Sequence, residues 1–273
     1  MPNGENVTSP ITLVGMGRSG TSLIQAAFDA RSDFQVCGET GALIFSIWRA
    51  SADTYMPLSP EHWSLADDPD GLATHYVQQI FARTFPSDAK YWFHKPVGIP
   101  HAVNLGDIGG FRSPLTNFPV EWYWKVLLKS FPNTRIITTV RNPFDVIVSR
   151  REHTLWAPQA AIRDVLSFYE IYDFGWDLMA HKALFGKIVQ DFEGYLQSLC
   201  AALGLNFDRA MVTAQGINHA PVPNRGPKLD HVDAWDTLPL LTLSRAEISC
   251  IERVWDKLGA PLLVPPDLRI RPD

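Results

Sequence analysis

The stretch Leu13–Phe28, LVGMGRSGTSLIQAAF, decides how this chain is read. Its front half belongs to a short apolar, β-branched run, Ile11–Met16 (ITLVGM), which suits a buried strand. From Ser22 the run SLIQAAFDA has helical spacing and good helix formers. A glycine-bearing loop therefore joins a strand to a helix, the setting in which backbone N–H groups and the helix dipole together bind phosphate. The pattern G-x-x-x-x-G-K-[ST] starts at Gly15 and reaches its second glycine at Gly20, but Thr21 stands where that pattern has lysine. The nearby cation is Arg18, inside the loop, and its planar, permanently charged fork suits phosphate or sulfate oxygens. Ser19, Thr21 and Ser22 add hydroxyl donors. On the loop alone, a glycine turn made only for packing remains an open alternative.

Outward from the loop, Phe34–Glu39 (FQVCGE) reads as a second strand, and Lys90–Pro96 (KYWFHKP) as a short strand end stopped by proline. Arg135–Val140 (RIITTV) is another buried-type strand, and the apolar spacing of RNPFDVIVSRRE continues it as a helix. GKIVQDFE is a strand candidate, and YLQSLCAALGL an amphipathic helix ending near Gly204. Ser244 and Glu247 form a capping box that opens the helix SRAEISCIERVWDKLG. GLATHYVQQIFARTF has helical spacing, whereas the Gly-, Pro- and Asn-rich GIPHAVNLGDIGGFRSPLTNFPVEWYW reads as a long loop. Strands alternate with helices, without a repeat period or a linker. The expectation is one α/β domain around a mainly parallel sheet, residues 11–264, between short tails at 1–10 and 265–273. Insert-like regions near 50–90 and 101–124 are candidates for acceptor binding.

Composition bounds the functions on offer. The 273 residues are 46% hydrophobic and 19% charged, as in ordinary globular proteins. A formal charge of −5 gives no long-range attraction for nucleic acid. Cys37, Cys200 and Cys250 lie far apart, which forms neither a metal-site spacing nor a disulfide framework and fits a reducing compartment. No apolar run approaches the ~20 residues that span a bilayer, and MPNGENVTSP lacks the features of a signal peptide. A soluble, cytoplasmic protein is expected.

In open α/β sheets the ligand lies beyond the carboxyl ends of the strands, and Arg18 to Ser22, Glu39, Lys95 and Arg141 all fall there. A P-loop kinase or hydrolase needs a carboxylate at the end of a neighbouring strand to organise magnesium. RIITTV ends instead in Arg141, which points to a second anionic group on the ligand. Ser149 follows eight residues later, about two helical turns on, so that both can reach one phosphate. A loop for a 5′ phosphate and an arginine–serine pair for a 3′ phosphate describe 3′-phosphoadenosine 5′-phosphosulfate (PAPS).

At these residues the chain resembles the PAPS-dependent sulfotransferases. GRSGTSL resembles that family's 5′-phosphosulfate loop, and RNPFDVIVS its 3′-phosphate motif. Arg18–Thr40 (RSGTSLIQAAFDARSDFQVCGET) is similar to the tyrosylprotein sulfotransferases and their bacterial relatives. FHKP resembles a K-x-P segment, and VQDFEGYLQSLCAALGL a late YE-x-L … LG segment, so the likeness runs from Ile11 to about Gly259. It implies the P-loop-like sulfotransferase fold, PAPS as sulfuryl donor, 3′-phosphoadenosine 5′-phosphate (PAP) as product, and no metal. Glu39 matches the catalytic glutamate of the tyrosylprotein-like branch, with a salt bridge to a pocket cation as the competing reading. Lys95 matches the donor to the oxygen between sulfate and 5′ phosphate, and Arg18 takes the place of the loop lysine of cytosolic sulfotransferases. His94 is a rival base, although neighbouring side chains in a strand face opposite ways and a packed histidine is the simpler reading. His101 lies too deep in its loop to assign.

Arg225 and Lys228 (NRGPK) are candidates to close over the 3′ phosphate, or solvated loop charges. Arg150, Arg151 and His153 read as a polar helix face, and Glu193 as structural. Two departures stand out: surplus chain from about Asn104 to Glu121, and no clear counterpart of the late-loop serine of the tyrosylprotein branch. The acceptor is expected to carry a hydroxyl, with a phenol among the candidates, on a small or lipid-linked molecule. Trp63, Trp92, Trp122, Trp124 and Trp156 would wall such a site, or serve the core. Two other classes remain on the table. A small-molecule or nucleoside kinase would need ATP and magnesium; a non-catalytic PAP-binding module would bind without turnover.

Overall fold

The structure is a computed structural model that describes residues 10–55, 69–84, 89–96, 120–154, 158–213, 235 and 241–272. Its five-stranded sheet has the order β2-β3-β1-β4-β5, with β1 Ile11–Val14, β2 Phe34–Glu39, β3 Tyr91–Lys95, β4 Arg135–Val140 and β5 Met179–Leu184. The recorded pairings β1·β3, β2·β3 and β4·β5 are parallel. A smaller parallel pair joins β6 (Thr242–Ser244) to β7 (Arg269–Arg271), so the segment read as a C-terminal tail contains a strand. The chain divides into two compact units, Met1–Thr12 with Ser32–Arg135, and Leu13–Arg31 with Ile136–Asp273.

In the first unit, helices α2 (Gly41–Tyr55), α3 (Pro69–Thr84) and α4 (Val120–Ser130) pack on one another. Trp48 donates its indole N–H to Ser130 Oγ at 2.8 Å, and Gln78 donates to the Ser130 carbonyl at 3.2 Å. Phe81, Trp92 and Phe131 form an aromatic cluster with ring centroids 5.1–5.6 Å apart. Trp92 and Trp124 are thus core residues, while Trp122 packs against Phe45. The loop expected across residues 98–124 ends earlier than the composition suggested. Val120–Trp124 opens α4, whose buried Tyr123, Trp124, Val126 and Leu127 form one helical stripe.

In the second unit, α1 (Thr21–Asp29) follows the glycine loop. Helices α5 (Pro143–Thr154) and α6 (Pro158–Phe174) pack together, and α6 packs on α10 (Arg245–Leu258). The capping box of α10 is present, with the Ser244 side chain accepting from Glu247 N–H and Glu247 accepting from Ser244 N–H. The strand expected at GKIVQDFE is a helix, α7 (Phe185–Gln190), followed by α8 (Phe192–Ala202) with Asp191 as its N-cap. The strand lies just upstream at Met179–Leu184, where only Met179 is buried, and this edge position removes the apolar run that marks an inner strand. Helix α9 is the single turn Ala210–Thr213, which packs on α1 and α8.

Candidate active site

The loop between β1 and α1 has the backbone of an anion cradle. Arg18 and Gly20 are both left-handed, with φ 73° and 91°, and Ser19 between them is not. Such alternation turns successive N–H groups towards a common point. A side chain at Gly20 would be strained by its φ, and a Cβ there would stand 2.6 Å from the Phe185 ring. A Cβ on Gly15 would stand 2.5 Å from Thr21 Cγ2, so the loop also closes tightly at its start. The three hydroxyls divide. Ser19 is fully buried and donates to the Met16 carbonyl at 2.7 Å, Thr21 is buried, and Ser22 is exposed at the first turn of α1.

Three of the expected ligand-binding side chains meet within the second unit. Arg18 Nε donates to Ser149 Oγ at 3.0 Å, and Arg141 donates a guanidinium N–H to the Arg18 carbonyl at 2.9 Å. These two bonds hold a non-glycine residue in a conformation that costs of order 1–3 kcal/mol. The Arg141 guanidinium also lies over the Phe185 ring, 4.6 Å from its centroid.

Helix α6 braces the loop and the end of β4 from behind. The Tyr169 hydroxyl donates to the Arg141 carbonyl and accepts from the Trp255 indole N–H, each at 2.9 Å. The Tyr172 hydroxyl accepts the Met16 N–H at 3.0 Å. Burial pushes both phenols above their ordinary pKa, so they stay neutral. Arg150 is not on a polar helix face. It is buried in an ion pair with Asp164 of α6, beneath Gly17. The side chains of Arg151 and His153 lie outside the described residues.

The acid–base candidates sit together in the first unit. The β2·β3 register shifts between Cys37 and Glu39, so that Glu39 rather than Gly38 pairs with Lys95. Lys95 Nζ then lies 3.5 Å from Glu39 Oε1. The lysine side chain is 6% exposed and the glutamate 64%, so the carboxylate is open to solvent while the ammonium is enclosed. Burial lowers the Lys95 pKa, and the charge and hydrogen bond of Glu39 oppose that shift. His94 points the other way into the core, with Nε2 2.6 Å from Thr12 Oγ1 and Nδ1 2.9 Å from Thr40 Oγ1. Burial lowers its pKa to about 3, and a neutral ring with both nitrogens engaged is a packed histidine.

Arg225, Lys228, His101, Trp63 and Trp156 lie outside the described residues. Sequence reasoning missed Phe185, Tyr169, Tyr172 and Asp164. The apolar periodicity of PQAAIRDVLSFYEIYDF marks their helix, but nothing local to Phe185 announces contact with a loop more than 160 residues earlier.

The glycine cradle, the arginine at the end of β4 and the serine two turns on all lie within one stretch that a family model covers. The model of a family described as "Sulfotransferase family" matches residues 10–209. The chain belongs to the sulfotransferase family. Solved structures similar to this member are bacterial sulfotransferase domains. One is the sulfotransferase domain of the Synechococcus PCC 7002 olefin synthase (16% identity, 93% of this chain and 96% of that one, TM-score 0.53). Another is the sulfotransferase domain from the curacin biosynthetic pathway (16%, 93% and 99%, TM-score 0.56). A third is a sulfotransferase from Alicyclobacillus acidocaldarius (15%, 94% and 98%, TM-score 0.51). At these identities the likeness speaks for the fold. No curated protein sequence matches the chain. No helix among the described residues is long and apolar enough to cross a membrane.

Proposed function

We propose that this family member moves the sulfuryl group of PAPS to a hydroxyl acceptor by direct in-line transfer. The observation that carries the reading is the convergence of Arg18, Arg141 and Ser149 at the glycine loop. The donor set suits a nucleotide with two anionic ends. The loop N–H groups and Arg18 serve the 5′-phosphosulfate, and Arg141 with Ser149 serves the 3′ phosphate, with Arg225 and Lys228 proposed to close over it. Arginine at the end of β4 suits an oxyanion and not a magnesium ion.

In this reading Glu39 takes the proton of the acceptor hydroxyl as its oxygen bonds to sulfur, and the bond from sulfur to the bridging oxygen breaks. That oxygen stays with PAP, and Lys95 and Arg18 balance its charge. The exposure of Glu39 leaves it accessible to an incoming hydroxyl, and the enclosure of Lys95 strengthens its field at the leaving oxygen. A small or lipid-linked acceptor, phenols included, and a cytoplasmic setting complete the proposal.

The test is a thermal-shift series with PAP, ADP and ATP–magnesium on wild type and Arg141→Ala. PAP at 100 times its Kd stabilises a protein by about 2.7 kcal/mol. The expected result is a shift with PAP that Arg141→Ala removes. A shift with ATP–magnesium and none with PAP overturns the reading in favour of a kinase. Binding of PAP without turnover of PAPS on any hydroxyl acceptor would leave a binding module.

A further inference from the structure

His94, left out of the chemistry above, joins the two strand ends that carry Glu39 and Lys95. Its contacts form one directed chain within the first unit. Thr134 Oγ1 donates to the Pro10 carbonyl at 2.9 Å, which uses its only proton. Thr134 therefore accepts from Thr12 Oγ1, 2.5 Å away. Thr12 has no second proton to give, so His94 Nε2–H donates to Thr12 across 2.6 Å. A neutral imidazole protonated on Nε2 has a bare Nδ1, which accepts from Thr40 Oγ1 at 2.9 Å. The tautomer follows from the far end of the chain, and so does the orientation of the Thr40 hydroxyl.

Thr40 is thereby tied to β3 twice, through its hydroxyl to His94 and through its N–H to the Lys95 carbonyl at 3.3 Å. Glu39 precedes it, and Gly38, where the register slips, borders open space, so that a side chain there would meet nothing within 4 Å. The peptide that bears the carboxylate is thus anchored on its far side by Thr40. Among the described residues the recorded polar partner of the Glu39 side chain is Lys95. The ring of His94 is itself held at 4.9 Å from Phe131 and 5.7 Å from Trp92, which fixes where Nδ1 points.

We propose that His94 and Thr40 are positioning residues that hold the Glu39 carboxylate against Lys95. The placement rests on the functional reading only in calling that pair the reacting one. A slack Thr40 lets the slipped strand end move, and the carboxylate then leaves the ammonium.

The experiment follows the Lys95 titration by carbon NMR in full-length protein labelled at the lysine ε-carbon, with Lys95→Arg to assign the signal. Glu39→Gln sets the reference, since removing the carboxylate lowers the Lys95 pKa. Thr40→Val is expected to lower it comparably, Thr40→Ser to restore the wild-type value, and Glu39→Gln combined with Thr40→Val to add nothing further. A merely structural role for Thr40 would lower the melting temperature and leave the Lys95 titration in place; that result overturns the proposal. If Thr40→Val does not fold, Thr40→Ala is read by the same criterion. PAP binding measured on the same samples separates the two claims. PAP binding with no Thr40-dependent shift removes the positioning role and leaves the function, and a Thr40-dependent shift without PAP binding does the reverse.

Discussion

Acid should expose the cost of keeping His94 neutral. The perturbation is a fall in pH from 7 to 4.5, with His94→Gln as the non-titrating comparison. The folded pKa of about 3 lies below the ordinary value of 6.5, because the ring is fully buried. Between those values the unfolded chain binds a proton that the native ring does not, so stability falls as pH falls from 6.5 towards 3 and levels off below it. Two pH units inside that window, at about 1.4 kcal/mol each, give an extra loss of about 2.5 kcal/mol for wild type relative to the variant. With an m-value near 2.5 kcal/mol per molar this is roughly 1 M in the urea midpoint. The assay is urea unfolding followed by tryptophan fluorescence at both pH values. Subtracting the variant removes the carboxylates, which titrate in both proteins. His94→Gln is expected to be the weaker protein at pH 7 and to lose less of its stability on going to pH 4.5. If the two proteins lose stability in parallel, within about 0.5 kcal/mol, the ring takes up a proton in the native state and the enclosed network is wrong.

Gly20→Ala should destabilise the protein by about 1–3 kcal/mol and weaken PAP binding, because the residue is left-handed and the new methyl meets the Phe185 ring; a calorimetric titration with PAP that matches wild type would contradict the cradle. Asp164→Asn should cost about 3–5 kcal/mol in urea unfolding by leaving Arg150 enclosed without its countercharge, whereas Arg150→Met with Asp164→Leu should recover most of the loss. A cost for Asp164→Asn below about 1 kcal/mol would mean that water reaches the pair. Lys95 should lose its proton below the ordinary lysine range, so PAP affinity should weaken as pH rises through that lowered value, and Glu39→Gln should move the weakening to lower pH. An unmoved profile, measured by calorimetric titration across pH, would separate Lys95 from the 5′ end of the nucleotide.

The inner strands were legible because burial on both faces leaves short runs rich in β-branched residues with no charge inside them, as in ITLV and IITTV, whose burial is nearly complete. Arg141 and Ser149 could be expected near one another because they lie eight residues apart at the junction of one strand and its helix, but the bond from Arg18, in the loop of another strand, to Ser149 is a property of the fold. The edge strand Met179–Leu184 gave no such signal, and the six-residue helix after it is too short for a period to show. Val120–Trp124 was absorbed into the loop by the glycines and prolines before it. Arg150 misled for a different reason. A charge next to other charges reads as solvated, and only the fold brings Asp164 to neutralise it in the interior. The inward turn of Ser19 was equally hidden, since a loop hydroxyl has the same letter whether it faces ligand or backbone.

Phe185 turns one ring edge towards Gly20 and a face under the Arg141 guanidinium. One ring therefore serves as a shared shim, setting the height of the loop glycine and of the arginine at once. Trimming it to leucine changes no group proposed to touch the nucleotide, yet it slackens both grips together. Position 185 is accordingly the place from which an engineer would retune how long the spent nucleotide stays bound, with the charge of the pocket left intact.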